Sequence, residues 1–438
     1  MKNYILINLL AASVLLCGCN SNKQTISNQG ISDSLPAPYQ TKSVMNFSKV
    51  IGWPEGRTPT APEGFKVTKF ADGLVSPRWI YVCPNGDVLI AEANTELTGI
   101  KKIGAGILGI TKSQRFDKSA NQITLLRDSN KDGTVDLRKV FLSDLNQPFG
   151  MLVMDGTFYV ANTDGLWKYP YQSGQTRITT AGKKVLSLPA GGYNNHWTRN
   201  IIANADSSKI YISVGSGSNV GENGMENEIR RANILEINPD GSGEIIYASG
   251  IRNPVGMGFA PGTSTLWTAV NERDELGDDL VPDYFTSIQK NGFYGWPYSY
   301  FGQNTDPRPE VKRPDLVKQA IVPDIALGAH TASLGLAFYD QTAFPEKYHQ
   351  GAFIGQHGSW NRSTISGYKV VFVPFKNGKP AGKPEDFLTG FISDQKNEEV
   401  YGRPVGISVL PDGALLVADD ASNIIWKIST INNTKLKN

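Results

Sequence analysis

A histidine set between polar side chains, His196, is the residue of this chain best suited to proton transfer. It lies in the segment 194–200 and is one of four histidines in 438 residues. The unperturbed pKa of imidazole, about 6.5, allows it to accept a proton near neutral pH. Two other polar segments, 250–256 and 356–362, contain Arg252, His357 and Arg362 beside predicted strands. Histidine and arginine gathered at one centre would suit an anionic cofactor and redox chemistry.

Two acidic segments have compositions that suit a hard cation. The segment 272–279 carries five carboxylates in eight residues, and both a Ca²⁺ site and a solvated acidic turn explain that composition. The segment 128–136 matches positions 1, 3, 5, 6, 7 and 9 of an EF-hand loop, although Lys139 replaces the glutamate of position 12. We expect a structural calcium ion there, with a metal-free turn as the alternative. Its candidate ligands are Asp128, Asn130, Asp132 and Asp136.

The elements that must position these residues are predicted to be strands. Helical periodicity is nearly absent, and an apolar strand, a turn rich in Pro, Asn, Asp or Gly, and a second apolar strand recur along the chain. This unit occurs six times, at 79–91, 150–161, 201–212, 255–268, 334–354 and 405–418. The repeat predicts an all-β fold, a six-bladed β-propeller, with two sandwich domains as the alternative.

A polar residue accompanies each predicted hairpin, and this regularity favours the propeller. The six residues expected before the hairpins are Arg78, Gln147, His196, Arg252, His357 and Arg403. In a propeller the inner strands begin near the central channel, so these side chains would converge on one cavity. His330 and His349, which lack a motif, are interpreted as structural or surface residues. The aromatic residues between 293 and 301 are interpreted either as a sugar-stacking surface or as packing within an insertion at 283–331.

The first residues predict export and a lipid anchor. A short charged start precedes an apolar run at 4–16 and the sequence Cys17-Gly18-Cys19, which is typical of a signal peptide. The tetrad 16–19 resembles a bacterial lipobox, which would make Cys19 the lipidated first residue; secretion without lipidation is the alternative. Because Asn20 rather than an aspartate follows, we expect a periplasm-facing protein anchored at the outer rather than the inner membrane of the bacterial envelope.

These patterns divide the chain into four parts. They are a signal peptide at 1–18, a flexible tether at 19–58, the propeller at 59–429 and a C-terminal tail at 430–438. Only Cys83 would remain as a free thiol, so no intrachain disulfide is expected, and the sequence has no Cys-x-x-Cys-His motif for a c-type haem. A formal net charge of +2 without a basic stripe argues against nucleic acid as a partner.

In combination, the polar motifs resemble those of the quinoprotein sugar dehydrogenases, in particular the sorbosone dehydrogenase branch. The resemblance extends from about residue 64 to about residue 427. The motifs are Asn195-His196-Trp197-Thr198-Arg199, Gly250-Ile251-Arg252-Asn253-Pro254, the acidic segment 272–279, His357-Gly358-Ser359-Trp360-Asn361-Arg362 and Gly402-Arg403-Pro404. The resemblance implies a six-bladed propeller that binds pyrroloquinoline quinone (PQQ) and Ca²⁺ at the mouth of its channel.

The resemblance also implies roles for individual residues. His196 would be the general base that takes the proton of a sugar hydroxyl while a hydride passes to the quinone. Arg252 would stabilise charge at the quinone carbonyl, and Asp274 and Glu275 match the positions whose backbone oxygens hold the Ca²⁺ ion. PQQ is a tricarboxylate and needs fixed positive charge. The residues implied in binding it are Arg78, Gln147, Arg199, Arg252, Asn253, His357, Arg362 and Arg403.

Two positions depart from the soluble glucose enzymes of that family. Asn195 stands where they have an acidic residue before the histidine, and Tyr401 replaces one of a pair of arginines, leaving Arg403. The sequence therefore predicts a PQQ- and Ca²⁺-dependent oxidoreductase that oxidises a sugar or sugar aldehyde of the aldose or sorbosone class. An external quinone or cytochrome would accept the electrons. A calcium-dependent lactonase and a non-catalytic propeller that binds a glycan or protein are the alternative hypotheses.

Overall fold

Strands make up most of the described molecule. The computed structural model describes residues 35–95 and 118–431, in which the helical elements are one short helix, α1 (Pro314–Val317), and two 3-10 turns, Met225–Glu228 and Glu346–Tyr348. The prediction of an all-β chain is confirmed. No helix in this part of the chain has the length and apolar character needed to cross a bilayer. The predicted signal peptide, the lipidation site Cys19 and the residues 432–438 of the tail lie outside the described residues.

The strands are short and follow one another closely along the chain. The first eighteen are β1 (Lys49–Val50), β2 (Phe65–Ala71), β3 (Pro77–Val82), β4 (Val88–Glu92), β5 (Gln122–Arg127), β6 (Leu137–Leu142), β7 (Met151–Met154), β8 (Thr157–Asn162), β9 (Gly165–Pro170), β10 (Lys183–Ser187), β11 (Ile201–Ala203), β12 (Ile210–Val214), β13 (Asn233–Ile237), β14 (Ile245–Ser249), β15 (Pro254–Phe259), β16 (Leu266–Val270), β17 (Pro282–Ser287) and β18 (Gly292–Phe293). The others are β19 (Ser299–Tyr300), β20 (Asn304–Thr305), β21 (Ile325–Ala329), β22 (Ser333–Phe338), β23 (Ala352–Gln356), β24 (Lys369–Val373), β25 (Phe375–Lys376), β26 (Lys379–Pro380), β27 (Glu385–Leu388), β28 (Ile392–Asp394), β29 (Glu399–Val400), β30 (Pro404–Val409), β31 (Leu415–Asp419) and β32 (Ile424–Thr430).

Within the described residues, six sheets with four antiparallel strands succeed one another along the chain. Their strand orders are β3-β4-β5-β6 (sheet 1), β7-β8-β9-β10 (sheet 2), β11-β12-β13-β14 (sheet 3), β15-β16-β17-β21 (sheet 4), β22-β23-β24-β27 (sheet 5) and β30-β31-β32-β2 (sheet 6). In sheet 3 the short strand β18 adds to β14 in parallel. The six predicted hairpins are confirmed, since each forms the first two strands of one sheet.

The hairpin turns follow from the local chemistry of Asx and Gly residues. Between β3 and β4, Asn85 Oδ1 accepts a hydrogen bond from the N–H of Asp87, and Gly86 between them has a φ of +89°. A residue without Cβ adopts this left-handed conformation at little cost. The turn between β30 and β31 is built in the same way, with Gly413 at a φ of +81° following Asp412. Because these signals are local, the sequence alone sufficed to find the hairpins.

The hydrophobic core lies between neighbouring sheets. Strand β4 is buried along its whole length, and its side chains alternate between two faces. Leu89 and Ala91 pack against residues of sheet 2, whereas Ile90 packs against residues of sheet 6. Sheet 1 is therefore enclosed between sheets 2 and 6. Replacing the fully buried Leu89 by alanine would cost about 2–5 kcal/mol through the cavity that it leaves.

The two ends of the fold meet in sheet 6. Strand β2, which comes early in the chain, pairs in antiparallel register with β32 near its end, so that Val67 lies opposite Ile428. Strand β30 of the same sheet contacts β3 of sheet 1. The first and last sheets are therefore joined both by a shared sheet and by direct packing.

Residues 35–58, predicted to belong to a flexible tether, instead pack onto the sheets. β1 pairs in parallel with β29, and the ring centroid of Trp53 lies 5.0–5.3 Å from those of Phe391, Tyr401 and Trp426. The prediction was wrong for this part of the segment. It rested on a polar composition, whereas a few apolar and aromatic side chains supply enough buried contact to fix the backbone.

Candidate active site

Most of the predicted site residues lie at one edge of the sheets. The first strand of each sheet begins at this edge, and the antiparallel second strand ends there. Five of the six residues expected before a hairpin do lie in or just before a first strand, namely Arg78, Gln147, His196, Arg252 and Arg403. The prediction was wrong for His357, which follows β23, the second strand of sheet 5. His330 takes the position before β22, and both histidines reach the same edge because the strands are antiparallel.

His196 is held in one orientation by a backbone carbonyl group. Its Nδ1 lies 2.8 Å from the carbonyl oxygen of Ser216 and 3.1 Å from the hydroxyl oxygen of the same residue. Because a carbonyl oxygen only accepts hydrogen bonds, Nδ1 carries the proton and Nε2 keeps its lone pair. The side chain is half-buried. The structure therefore presents Nε2 of His196 as a proton acceptor.

The surroundings of His196 keep the imidazole neutral. Burial lowers its pKa to about 3, and the positive charge of Arg252 acts in the same direction. The hydrogen bond to Ser216 and the carboxylate of Asp274 oppose this shift without cancelling it. Protonation of an imidazole that is shielded from solvent and lies beside a guanidinium group is unfavourable. At neutral pH the ring is consequently in the form that a general base requires.

The loop that orients His196 is fixed by a buried carboxylate, Glu228. Its Oε2 accepts a hydrogen bond from the N–H of Gly217 at 2.7 Å, and its Oε1 accepts one from the hydroxyl of Ser218. Glu228 is 6% exposed, and burial raises its pKa. This loop at 216–218, rather than a carboxylate adjacent to the histidine in sequence, therefore fixes the tautomer. Sequence reasoning missed Glu228 because its role depends on contacts across a turn.

Arg199, which was predicted to bind the cofactor, supports the backbone of the same segment. Its Nη1 donates to the carbonyl groups of His196 at 2.7 Å and Thr198 at 2.9 Å. Its Nη2 donates to the carbonyl group of Pro189 at 2.7 Å and to Asn194 Oδ1 at 2.9 Å. The prediction was wrong, because the side chain has no exposed surface and its terminal nitrogens are used within the protein.

Arg252 forms a buried ion pair beside His196. Its Nη2 donates to Asp274 Oδ2 and to Asn219 Oδ1, both at 3.0 Å, and its Nη1 donates to the carbonyl group of Glu272 at 2.5 Å. Burial alone would raise the pKa of Asp274, but Arg252, His330 and Asn361 together outweigh burial and lower the pKa to about 2. Both members of the pair are therefore charged at neutral pH, and Arg252 is rigidly placed.

His330, which no motif singled out, belongs to this group. Its Nδ1 lies 3.5 Å from Asp274 Oδ1, and its Nε2 bonds to the carbonyl oxygen of Gly277 at 2.8 Å. Burial lowers the pKa of His330, but Asp274 outweighs that effect and raises it. The position of His330 before a first strand was the available signal in the sequence. We refer to the following residues as the His196 cluster: His196, Asn219, Arg252, Asp274 and His330.

A second group of charged residues surrounds His357. Its Nε2 lies 2.9 Å from Asp420 Oδ1, and Asp420 Oδ2 forms a salt bridge with Arg78. Arg403 Nε donates to the carbonyl group of His357 at 3.2 Å. Burial, reinforced by Arg403, lowers the pKa of His357 to about 4. We refer to the following residues as the His357 cluster: His357, Arg78, Arg403 and Asp420.

The His357 cluster holds more positive than negative charge. Burial raises the pKa of Asp420, but His357 and Arg78 outweigh it, so the pKa is low and the carboxylate is ionised. Arg78 and Arg403 contribute two guanidinium groups against this one carboxylate. Arg78 also lies over the ring of Trp197 at 5.6 Å from its centroid, which connects the cluster to the segment that carries His196. The excess charge suits an anionic ligand.

Asn253 approaches His196 across a glycine. A Cβ added at Gly215 would lie 2.5 Å from Asn253 Oδ1 and 2.6 Å from the Cβ of His196, so a larger residue would push them apart. Asn253 Oδ1 is buried without a hydrogen-bond partner among the described residues. An orphaned buried acceptor of this kind is costly unless a ligand or water satisfies it.

Gln147 and Arg362 contact neighbouring loops. Gln147 Nε2 donates to the carbonyl group of Asn94 at 2.8 Å. Arg362 Nη2 donates to Asp279 Oδ1 at 2.7 Å, and its Nε donates to the carbonyl group of Asp278 at 3.1 Å. Contact of either residue with a cofactor stays a prediction.

The acidic segment 272–279 is not preorganised as a carboxylate-lined metal site. Across residues 35–95 and 118–431, no group of three or more His, Cys, Asp or Glu side chains is arranged to hold a metal ion. The carbonyl oxygen of Asp274 accepts hydrogen bonds from Arg308 and Asn219, which uses both of its lone pairs. The side chain of Glu275 is 69% exposed. Ligation of Ca²⁺ by Asp274 and Glu275 stays a prediction, and for Glu275 it would use the backbone oxygen.

The segment 128–136 forms a turn that satisfies its own polar groups. Asp128 accepts hydrogen bonds from the N–H groups of Asp132 and Gly133, and Asp136 accepts two from Ser129. Asn130 Oδ1 also accepts from the N–H of Asp132. Binding of a structural calcium ion here stays a prediction, because these oxygens already accept hydrogen bonds from the loop's own donors and keep further lone pairs. The structure contains an Asx-rich turn at this segment.

Three aromatic residues of the insertion are packed rather than presented to a ligand. Tyr294, Trp296 and Tyr300 are each at most 3% exposed. Trp296 Nε1 donates to the carbonyl group of Asn219 at 2.9 Å, so the insertion supports the His196 cluster from outside. The packing interpretation is confirmed for these three residues, whereas Phe293, Tyr298 and Phe301 are half-buried.

Fold and site together describe an all-β protein with two arginine-bearing clusters, one of which contains the neutral, oriented histidine His196. Residues 59–291 and 299–430 match the model of the TrAA12-like family. The chain belongs to this family.

Three relatives illustrate where the chain is similar to known proteins. An uncharacterized protein of Borreliella burgdorferi is 29% identical over 382 residues, which is 85% of this chain and 90% of that protein. An aldose sugar dehydrogenase of Escherichia coli is 30% identical over 199 residues, covering 45% of this chain and 47% of that enzyme. A pyrroloquinoline quinone-dependent pyranose dehydrogenase of Coprinopsis cinerea is 22% identical over 438 residues, covering 84% and 54% of the two chains.

Solved structures support the fold. A calcium structure of a Trichoderma reesei carbohydrate-active enzyme of family AA12 aligns with a TM-score of 0.69 and 18% identity, covering 88% of this chain and 99% of that one. The holo form of the PQQ domain of the Coprinopsis cinerea pyranose dehydrogenase aligns with a TM-score of 0.68 and 20% identity, covering 87% and 100%. At these identities the similarity establishes a common fold.

Proposed function

We propose that this protein is a PQQ- and Ca²⁺-dependent sugar dehydrogenase in which His196 is the general base. The observation that carries the proposal is the state of His196. The ring is neutral, its Nδ1 is held by the hydrogen bond to Ser216, and its Nε2 keeps its lone pair. Membership of the TrAA12-like family supports it, as do the relatives named as sugar dehydrogenases. The substrate class is an aldose, pyranose or related sugar aldehyde.

The proposal includes a closed six-bladed propeller. Six consecutive sheets, the enclosure of sheet 1 between sheets 2 and 6, and the completion of sheet 6 by β2 all favour closure. The alternative of two sandwich domains does not account for packing between the first and last sheets. In a closed propeller the common edge that carries both histidine clusters surrounds the mouth of one channel.

The residues present fit PQQ in charge and hydrogen-bonding capacity. Arg78 and Arg403 supply an excess of positive charge for a tricarboxylate. Arg78 Nε and Asn253 Oδ1 are buried atoms that lack a hydrogen-bond partner among the described residues, which suits a planar polar ligand between the two clusters. When bound, PQQ would supply an orthoquinone able to take up the two electrons of the sugar.

The chain's own residues account for the proton. Nε2 of His196 would remove the proton of the reacting hydroxyl, while the carbonyl group of Ser216 holds the opposite nitrogen. The resulting imidazolium would be stabilised by the carboxylate of Asp274. Arg252, kept rigid by Asp274 and Asn219, would stabilise negative charge that develops near it. Calcium would be held through backbone oxygens of the segment 272–279, since its carboxylates are directed elsewhere.

Location and electron transfer are part of the proposal. A signal peptide and lipidation of Cys19 would place the enzyme at the periplasmic side of the envelope, at the outer rather than the inner membrane. Because the sequence has no c-type haem motif, a separate quinone or cytochrome would take the electrons from the reduced cofactor. Lipidation is checked by the mass of the N-terminal peptide of the purified protein.

The test is a titration of the purified protein with PQQ in the presence and absence of Ca²⁺, followed by calorimetry and then by a sugar screen with an artificial acceptor. We expect stoichiometric binding that chelation weakens. The variant Arg78→Gln should bind PQQ more weakly, whereas Arg313→Gln, which alters an exposed ion pair, should bind as the wild type does. A folded wild-type protein that binds no PQQ would contradict the proposal.

A further inference from the structure

The residues before β2 cross three loops of the candidate site. The segment 35–57, which we call the strap, contacts the acidic segment 272–279, the loop 357–363 and the loop before β30. These loops carry Asp274, Asn361 and Arg403, and they are far from the strap in sequence. The strap is therefore placed to hold the two histidine clusters relative to one another.

The first contact is with the acidic segment. The N–H of Tyr39 donates to the carbonyl group of Leu276 at 2.8 Å, and Thr41 Oγ1 accepts the N–H of Asp278 at 2.7 Å. Leu35 packs beside Leu276. A Cβ added at Gly277 would lie 2.7 Å from Thr41 Oγ1, so the strap and the segment touch at a position where a side chain does not fit.

The second contact is with the loop that carries Asn361. The N–H of Asn46 donates to the carbonyl group of Trp360 at 2.7 Å, and Asn46 Nδ2 donates to the carbonyl groups of Arg362 and Ser363, both at 3.1 Å. Phe47 stacks on Trp360 with ring centroids 5.6 Å apart. One asparagine thus bonds three carbonyl groups of the loop, two of them through its side chain.

The two loops held by the strap also hold each other. Asn361 Nδ2 donates to Asp274 Oδ1 at 2.6 Å, and the N–H of Ser363 donates to Asp278 Oδ1 at 3.1 Å. Asp274 in turn fixes Arg252. A displacement of the loop 357–363 would therefore reach Arg252 through two hydrogen bonds.

The third contact is with the last sheet. Trp53 Nε1 donates to Asp419 Oδ2 at 2.8 Å, and Asp419 Oδ1 accepts the N–H of Arg403 at 2.8 Å. Arg57 lies over the ring of Tyr401 at 4.5 Å from its centroid. The strap thereby supports the backbone of an arginine of the His357 cluster.

We propose that the strap is a positioning element of the site, which fixes the acidic segment and the loop 357–363 in the arrangement that binds the cofactor. The expected effect of the strap on PQQ binding rests on the proposed function, whereas its expected effect on the two loops does not. The decisive residue is Asn46, which bonds the loop through both its backbone and its side chain.

The test compares Asn46→Ala with Met45→Ala in the full protein. Met45 neighbours Asn46 in the strap but is 61% exposed, so it is a matched control. Hydrogen exchange, followed by mass spectrometry, is measured without added ligand in peptides covering 272–279 and 357–363. We expect exchange about 10-fold faster in these peptides for Asn46→Ala alone, the effect of two lost hydrogen bonds. The affinity for PQQ, measured with Ca²⁺ present, should fall by about 10-fold.

The outcomes separate the two proposals. Unchanged exchange in both peptides, or an equal increase across the whole protein, would overturn the positioning role, as would an unchanged affinity for PQQ. If the wild-type protein binds no PQQ, the proposed function fails, and the exchange comparison still decides on the strap. Should Asn46→Ala not fold, Thr41→Val removes the acceptor for Asp278 and should accelerate exchange in the peptide 272–279 more than in the peptide 357–363.

Discussion

The two histidine clusters contain the same types of residue and differ in which ring nitrogen is used. His196 bonds a carbonyl group through Nδ1, whereas His357 bonds the carboxylate of Asp420 through Nε2. His196 is half-buried, and His357 is 7% exposed. Burial and a neighbouring arginine lower the pKa of both histidines. The difference therefore lies in hydrogen bonding rather than in protonation state.

This comparison separates a reactive histidine from a supporting one. A neutral ring whose Nε2 is not tied to a carboxylate can accept a proton from a substrate. A buried ring that shares a carboxylate with Arg78 keeps a charged network in place. The same type of residue stands at both sites, so the roles of the two histidines depend on the partners that the fold supplies.

The largest structural effect should come from breaking the ion pair of the His196 cluster. Arg252→Ala leaves the mostly buried Asp274, whose side chain is 17% exposed, without its guanidinium partner, and we expect the free energy of unfolding to fall by about 3 kcal/mol. Arg313→Ala, which removes an exposed ion pair, should change it by at most about 0.5 kcal/mol. Urea denaturation of both variants checks the prediction. Equal stabilities would show that the pair does not hold the cluster together.

A smaller effect is expected from the corresponding change in the His357 cluster. Asp420→Asn removes the carboxylate shared by His357 and Arg78, and it should lower the free energy of unfolding by about 2 kcal/mol. Because the guanidinium group of Arg78 then loses the carboxylate of Asp420, the affinity for the tricarboxylate PQQ should be retained or increased. Calorimetric titration checks this. A loss of affinity without unfolding would mean that Asp420 itself is needed at the cofactor.

A change in the support of His196 should affect catalysis more than binding. Glu228→Gln weakens the bonds to Gly217 and Ser218 that fix the orienting loop, and we expect kcat to fall by about 10-fold with little change in affinity for PQQ. Glu226→Gln, an exposed neighbour in the same 3-10 turn, serves as the control. If both variants keep full kcat, the tautomer of His196 does not depend on this loop.

The smallest effect concerns pH. Since the pKa of His196 is about 3, kcat should show no loss from protonation of this residue between about pH 8 and pH 5. In the unfolded chain the pKa is about 6.5, so the unfolded state binds more protons in the window from 6.5 down to 3. Stability should therefore decrease as the pH falls through that window, and less so in His196→Gln. A kcat profile that falls with an apparent pKa of about 6.5 would contradict a neutral buried base.

Local signals determined what the sequence could reveal. The six hairpins were predictable because each depends on its own turn, as at Gly86 and Gly413. The predicted position of His357 was wrong because the long connection between β22 and β23 obscures which strand of the repeat precedes this residue. The strap was mistaken for a tether because Trp53 and Asn46 find their partners more than 300 residues away.

Sequence motifs did not identify the partners of the charged groups, because these partners are also distant in sequence. Asp274 and Asp420 hold the two clusters together through contacts between different loops, and Glu228 supports the loop that orients His196. The metal prediction at 128–136 relied on spacing, which an Asx-rich turn reproduces with its own N–H groups. A spacing pattern identifies which oxygens are present, and the fold decides what they face.

The most direct test of the account is the kcat of His196→Gln and His357→Gln, measured in parallel with each protein saturated with PQQ and Ca²⁺. Glutamine keeps a polar side chain of similar size but cannot act as a base at neutral pH. The account predicts that kcat falls by about 10²–10⁴-fold in His196→Gln and by less than about 10-fold in His357→Gln. Equal losses in the two variants, or retained turnover in His196→Gln, would contradict the assignment of His196 as the base.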